Sequence, residues 1–283
     1  MSTDRRLVAA RADLASLDLE GLARAPRFVA PSARRVVAPC APLRSGPADS
    51  AEQVSQLIFG EAFDALDARD GYVWGQAKRD GYVGWTLARA LSLEIIEPTH
   101  RVIALRTFAF AGPSIKTAPF GPVSLNALVR ITDEQGELSQ AHDAGWIASR
   151  HLALIGQAFT EPATTAESFV GTPYLWGGRD SLGLDCSGLI QQAFWAGGLA
   201  CPRDSDRQQA LGVAADPAHL RRGDLVFWRG HVGMMADGAR LIHANAHHMA
   251  VAMEPLAEAV SRISARGGGE PTAYRRPPPG PWS

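Results

Sequence analysis

The sequence predicts two small β-barrels followed by an α+β domain, with a helix at the N-terminus. Three observations carry this. Short apolar runs broken by Asp-Gly pairs fill the first half of the chain. A Gly-Trp pair closes such a run at Gly84-Trp85 and again at Gly145-Trp146. After Glu161-Pro162, one helical pattern that starts at a cysteine precedes several short strands, two of them carrying histidines.

Taken in order, Leu7, Ala10, Leu14 and Leu17 recur at helical spacing and predict an amphipathic helix over 4–24, a strap against a neighbouring domain. The Pro- and Arg-rich stretch from Pro26 to Pro42 marks a boundary, so 1–34 is assigned to this helix and a linker. In the first barrel, 35–95, Asp70-Gly71 and Asp80-Gly81 separate alternating runs, a strong hairpin signal. HRVIALRTFAFAG opens the second barrel, 98–157, and HDAGWIASRHL closes it. One irregular β domain is the alternative, and the repeated Gly-Trp ending favours two modules.

The third domain, 160–283, begins with a helix over 163–170 and a Gly-rich loop, GTPYLWGGRDSLGLD. In CSGLIQQAFWAGG, Leu189, Ile190, Ala193 and Phe194 share one helix face, and Gly197-Gly198 is a stop. Strands follow at 224–228, 231–236 and 239–246, with a fourth over MAVAMEPL. The Gly- and Pro-rich tail from Gly267 reads as irregular.

Composition bounds the function. An apolar fraction of 46% and a charged fraction of 20% over 283 residues are those of a globular protein of two or three domains. A net charge of -1 gives no reason to expect nucleic acid or an anionic membrane as partner. No run approaches the roughly 18 apolar residues of a membrane span. Arg11, Asp13 and Asp18 interrupt the apolar core that a signal peptide needs. Cys40, Cys186 and Cys201 are odd in number and scattered, so no disulfide framework is expected. The expectation is a soluble, cytoplasmic protein.

The chemistry gathers at the start of the cysteine helix. A thiolate is the reactive form of cysteine, and a helix N-terminus favours the anion. Cys186 sits there, and a backbone N–H at the same terminus can serve an oxyanion. His231 opens a strand after Arg229-Gly230 and has the ring chemistry of a general base. If 231–236 and 239–246 form a hairpin about Asp237-Gly238, His243 falls near the same strand end and can orient His231. Taken singly, Cys186 reads as a buried structural thiol and each histidine as a structural one. Cys186, His231, His243, His247 and His248 are also conceivable metal ligands, but with neither CxxC nor HExxH no metal or other cofactor is expected.

The ordered blocks GTPYLWGG, LDCSGLIQQAF, PRDSDRQ, LRRGDLVFW, HVGM and LIHAN, over about 160–256, resemble the NlpC-type family of cell-wall cysteine peptidases. The upstream modules resemble bacterial SH3-like domains. The whole is similar to γ-D-glutamyl-L-diamino acid endopeptidases of the dipeptidyl-peptidase VI type, which recycle murein peptides. The resemblance implies an α+β papain-like catalytic domain preceded by two small SH3-like β-barrels. It implies cleavage of L-Ala-γ-D-Glu-diamino acid peptides with a free N-terminus.

Carried onto matching positions, the resemblance makes Cys186 the nucleophile, His231 the base and His243 its orienting partner. Tyr174 would donate its hydroxyl to the oxyanion, and Trp176 would line the wall beside it. Asp185, Ser187, Asp204 and Ser205 would hold the free N-terminal L-Ala-D-Glu portion. The rival structural roles are loop packing for Tyr174 and Trp176 and helix capping for Asp185 and Ser205. The first SH3-like module would narrow the cleft with Glu61 and Tyr82; Glu61 also reads as a plain barrel-turn carboxylate. An amidase or acyltransferase of the same fold is the alternative function, and a non-catalytic binding protein a third. No role is assigned to His247 and His248.

Overall fold

The structure is a computed structural model that describes residues 4–157 and 159–281; positions 1–3 of the expected N-terminal segment, 158 between the second and third expected domains, and 282–283 of the third lie outside it. Two compact units divide the chain, Met1–Ile155 and Gly156–Ser283.

In the first unit, a seven-stranded antiparallel sheet spans 32–92. Its hydrogen-bonded order is Gln53–Ile58, Cys40–Arg44, Val83–Leu87, Tyr72–Ala77, Ala62–Arg69, Ser32–Val36 and Leu91–Ser92. Val36, Leu43, Leu57, Phe63 and Val73 fill its core. The Ala62–Arg69 and Tyr72–Ala77 strands meet at Asp70-Gly71, whose φ values of 52° and 79° are those a tight two-residue hairpin requires. Residues 100–154 form a five-stranded and a three-stranded antiparallel sheet around Val102, Ala109, Val123, Val129 and Ile147. Both Gly-Trp pairs lie within strands, Val83–Leu87 and Gly145–Ala148. Phe59 packs into this second core, and its carbonyl accepts from the Leu128 N–H at 2.9 Å.

The expected helix over 4–24 does not form. Among the described residues this stretch holds turns, a two-residue strand, Ala15–Ser16, paired in parallel with Phe28–Val29, and one 3-10 turn, Leu17–Leu19. Tertiary anchoring overrides the local pattern. Ala9 and Leu14 bury against Leu66, Tyr72, Trp74 and Trp85. The Arg11 guanidinium lies 4.6 Å from the Trp74 ring and 4.8 Å from that of Trp85 while pairing with Asp67 at 2.6 Å. A helix would withdraw these contacts from the sheet for a modest gain in local hydrogen bonding. The segment is a strap, as its spacing suggests, but an extended one.

The second unit packs helices α1 (Pro162–Ser168), α2 (Cys186–Ala196), α3 (Ser205–Gln208) and α4 (Leu256–Ala265) about a six-stranded antiparallel sheet. The sheet order is Val213–Ala214, Ala273–Arg276, Leu225–Trp228, His231–Met235, Arg240–Asn245 and Ala250–Pro255. Every residue of α2 is buried, and the helix packs on the His231–Met235 and Arg240–Asn245 strands. Burial of side chains such as Leu189, Ile190 and Phe194 stabilises this packing by about 1.5–3 kcal/mol each. The central strands hold the histidines at a fixed place relative to the start of α2.

The tail is not irregular throughout. Ala273–Arg276 pairs with Leu225–Trp228, Tyr274 packs beside Trp228 and Val226, and Arg276 pairs with Asp224 at 2.6 Å. Its Gly and Pro residues belong to the connections on either side of that strand. No helix among the described residues is long and apolar enough to cross a membrane.

Candidate active site

Cys186 is the first residue of α2, and Asp185 is its N-cap. The Asp185 carboxylate organises this corner. Its Oδ1 accepts from the Gly188 N–H at 2.7 Å, the Ser187 hydroxyl at 3.2 Å and Arg203 Nη1 at 2.9 Å. Its Oδ2 accepts from the Gly177 N–H at 3.0 Å and Arg203 Nη2 at 2.6 Å. One side chain thereby ties the Gly-rich loop, the helix start and the buried Arg203 together. Gly188 is required here. A Cβ on it would lie 2.2 Å from the Gly178 carbonyl oxygen, so the loop can close on the helix only without a side chain.

The sulfur lies against the backbone on both sides of His231. Cys186 Sγ is 4.0 Å from the Gly230 carbonyl oxygen, and the Val232 N–H is directed at it. Burial, then the Asp185 carboxylate, pushes the thiol up to about 12, against the pull of Arg203 and the Val232 and Ser187 N–H groups. Burial pushes His231 down to about 3, with His243 and Arg262 acting in the same direction. Both shifts favour the uncharged forms, a thiol and a neutral imidazole, from which the base would take up the proton as the sulfur attacks.

The pairing of Met234 with Ile242 and Met235 with Leu241 puts His231 and His243 on one face of the sheet. His231 Nε2 and His243 Nδ1 are 2.8 Å apart, which leaves Nδ1 of His231 as the free ring nitrogen. The relay runs one strand further. Leu241 pairs with Glu254, so Glu254 shares that face, and its Oε1 lies 2.6 Å from His243 Nε2. Arg262 of α4 grips both oxygens of Glu254. Burial alone would raise the Glu254 carboxyl, but hydrogen bonds from His243 and Arg262 outweigh it and hold it at about 2.

An ionised carboxylate can only accept, so the proton of neutral His243 sits on Nε2. Nδ1 of His243 then accepts from Nε2–H of His231, and the lone pair of His231 is left on Nδ1. Glu254 and Arg262 are thus part of the constellation and were not singled out from the sequence. The signal was present: the expected strand MAVAMEPL carries one carboxylate, at the parity that shares a face with His243 once it pairs with LIHAN.

Tyr174 is half-buried, and burial, then the charges of Cys186 and Asp185, pushes its phenol up to about 12, so it remains a hydroxyl donor. Trp176, on the same loop, is 60% exposed. Ser187 is buried, donating to Asp185 and accepting from Arg203 at 2.9 Å. Asp204 is the N-cap of α3 but makes no capping bond with its side chain; Ser205 follows as the first helical residue and is buried. Gln208 of α3 donates to the Ser187 carbonyl at 3.0 Å, tying α3 to the start of α2. In the first unit, Glu61 is buried, accepting from the Ile58 N–H and Arg79, both at 3.2 Å, and Tyr82 packs in the barrel core.

His243, His248 and Glu254 bring possible metal-ligand atoms within 4.8 Å of one another, as do Glu94, His142 and Asp143. In the first group, both ring nitrogens of His243 already have partners, and Arg262 occupies both oxygens of Glu254. In the second, Asp143 is paired with Arg35 at 2.5 Å. Both sets read as hydrogen-bonded networks rather than open cation sites.

A buried thiol at a helix start and, on the sheet packed against that helix, a histidine backed by an acceptor-terminated relay are the groups that acyl transfer calls for. Comparison with known proteins agrees. Residues 171–264 match the family model described as NlpC/P60 family, and residues 43–91 match that of the bacterial dipeptidyl-peptidase Sh3 domain. A Bacillus cereus protein named gamma-D-glutamyl-L-lysine dipeptidyl-peptidase is 37% identical over 235 residues, which span 71% of this chain and 70% of that protein. One of the same name from Bacillus subtilis is 28% identical over 214 residues, 67% of this chain and 71% of that one. The crystal structure of an NlpC/P60 family protein from Bacillus cereus shares the fold, with a TM-score of 0.73 over 88% of this chain and all of the other at 22% identity. With that identity carried across most of both sequences, the chain belongs to the NlpC/P60 family of cysteine peptidases.

Proposed function

We propose that this protein is a cysteine endopeptidase that hydrolyses the bond between the γ-carboxyl of D-Glu and a diamino acid in peptidoglycan-derived peptides. The carrying observation is the Cys186–His231–His243–Glu254 constellation in a chain similar to relatives named for this activity. Cys186 Sγ attacks the γ-carbonyl carbon while His231 Nδ1 takes the thiol proton. The Tyr174 hydroxyl and an N–H at the start of α2 receive the oxyanion. The C–N bond then breaks, His231 returns the proton to the leaving amine, and water hydrolyses the thioester.

Recognition of a free N-terminal L-Ala belongs to the same proposal. Arg203 already neutralises Asp185, which makes Asp185 a brace for the site; Asp204 and Ser205, at the start of α3, are the proposed partners of the ammonium. Recycling of free peptides in the cytoplasm is the proposed setting; the support is the odd number and scattered positions of the three cysteines, which suit no disulfide framework.

Mass-spectrometric digestion of L-Ala-γ-D-Glu-diamino acid, beside the same peptide acetylated at its N-terminus, tests both parts. Cleavage of only the free peptide at the γ-glutamyl bond, lost in Cys186→Ala, is the expected result. Cleavage of both peptides removes the N-terminal specificity, and cleavage of neither removes the activity.

A further inference from the structure

A groove of about 270 Å³ adjoins the catalytic base in the second unit. Trp228, Arg229, His231, His243, Arg262 and Arg266 are among its lining residues, and no Asp or Glu lines it. Three arginines therefore line one groove. Arg262 is neutralised by Glu254, whereas Arg229 and Arg266 have no acidic partner among the described residues. Arg266 caps the C-terminus of α4, where a cation stabilises the helix in any case. Arg229 has no such structural use. It is exposed in the two-residue turn between Trp228 and His231, with Gly230 at φ 72°. The positive field extends to the rim: after burial, Arg262 and Arg266 are the next causes that push His247 down.

The chemistry says what this groove faces. His231 must hand its proton to the departing amine, so the residue bearing that amine lies against the His231 ring. The groove lined by that ring is then on the leaving-group side. A leaving diamino acid carries an α-carboxylate when it ends the peptide, and a diaminopimelate carries a second carboxylate at the far end of its side chain. Lysine offers only an ammonium there, which two unpaired arginines repel.

We propose that Arg229 and Arg266 form a carboxylate-binding subsite for the leaving diamino acid, so that a peptide with a carboxylate on that residue is preferred over one without. The subsite rests on the γ-D-glutamyl peptidase reading above. Three substrates separate the sources of the carboxylate: L-Ala-γ-D-Glu-L-Lys, its C-terminal amide, and L-Ala-γ-D-Glu-meso-diaminopimelate with only its α-carboxyl amidated. The first against the second reports the α-carboxylate; the third against the second reports the side-chain carboxylate.

Expected for the unmodified protein is a KM about 10- to 100-fold lower for at least one carboxylate-bearing peptide than for the lysine amide. The Arg229→Gln/Arg266→Gln variant loses that preference yet cleaves the lysine amide with the original kcat. Equal KM values for all three peptides, or a variant that loses activity on all three alike, would overturn the subsite while the peptidase reading stands. Hydrolysis of none of the three by the unmodified protein would overturn the peptidase reading and the subsite with it.

Discussion

Glu254 Oε1 lies 2.6 Å from Nε2 of His243, on the side of that ring opposite the bond to His231. This contact decides which nitrogen of each histidine carries a proton, and through them leaves a lone pair on Nδ1 of His231.

Glu254→Gln should therefore act on the reaction rather than on substrate binding. The amide can present an N–H to His243 and so favour the wrong tautomer. We expect kcat to fall about 10- to 100-fold with KM nearly unchanged. Steady-state kinetics beside a thermal melt separate this from a loss of folding.

Arg203→Met should destabilise the protein by about 3–5 kcal/mol, because it leaves the Asp185 carboxylate buried without its cation. The double variant Asp185→Asn/Arg203→Met should recover part of that loss, since no buried charge remains. Urea unfolding of the four proteins of this cycle gives the coupling.

At Gly188, alanine places a Cβ 2.2 Å from the Gly178 carbonyl oxygen. Either the loop or the start of α2 must move, at a cost of about 1–3 kcal/mol. Because Cys186 lies two residues earlier, activity should fall by more than the stability loss accounts for. Activity measured well below the melting temperature checks this.

Tyr174→Phe removes a hydroxyl while keeping the ring. If Tyr174 serves as the proposed oxyanion donor, this change should lower kcat about 100-fold with little change in KM. Single-turnover acylation followed by mass spectrometry identifies the slowed step.

Stability should fall with pH in two stages. His231 is held near about 3, below its ordinary 6.5. Between those values the unfolded chain binds a proton that the fold refuses, so stability declines as pH falls below about 6.5. Glu254, held near about 2 rather than 4.5, contributes stability that is full above about 4.5 and lost as pH falls through 2. Unfolding curves at pH 7, 5 and 3 test the trend, and Glu254→Gln should flatten its lower part.

The hairpins of the first unit and the start of α2 were legible because each announces itself locally. Asp70-Gly71 demands left-handed backbone, alternating runs demand a half-buried sheet, and Cys186 directly after Asp185 marks a capped helix start. The N-terminal segment misled because Leu7, Ala10, Leu14 and Leu17 satisfy a helical period, while Trp74 and Trp85, distant in sequence, hold Arg11 in an extended strap. The last strand, Ala273–Arg276, was hidden by the Gly and Pro residues on either side of it.

The sequence by itself determined which residue types carry the chemistry: one thiol at a helix start and two histidines on adjacent strands, since capping and strand period are local properties. Only the tertiary structure decided how those groups are wired. Strand register set Glu254 behind His243, α4 brought Arg262 to that carboxylate, and the loop before α2 closed on Gly188 with Arg203 locking Asp185. Register and helix docking depend on contacts far apart in the chain, and those contacts fix protonation states that local spacing leaves open.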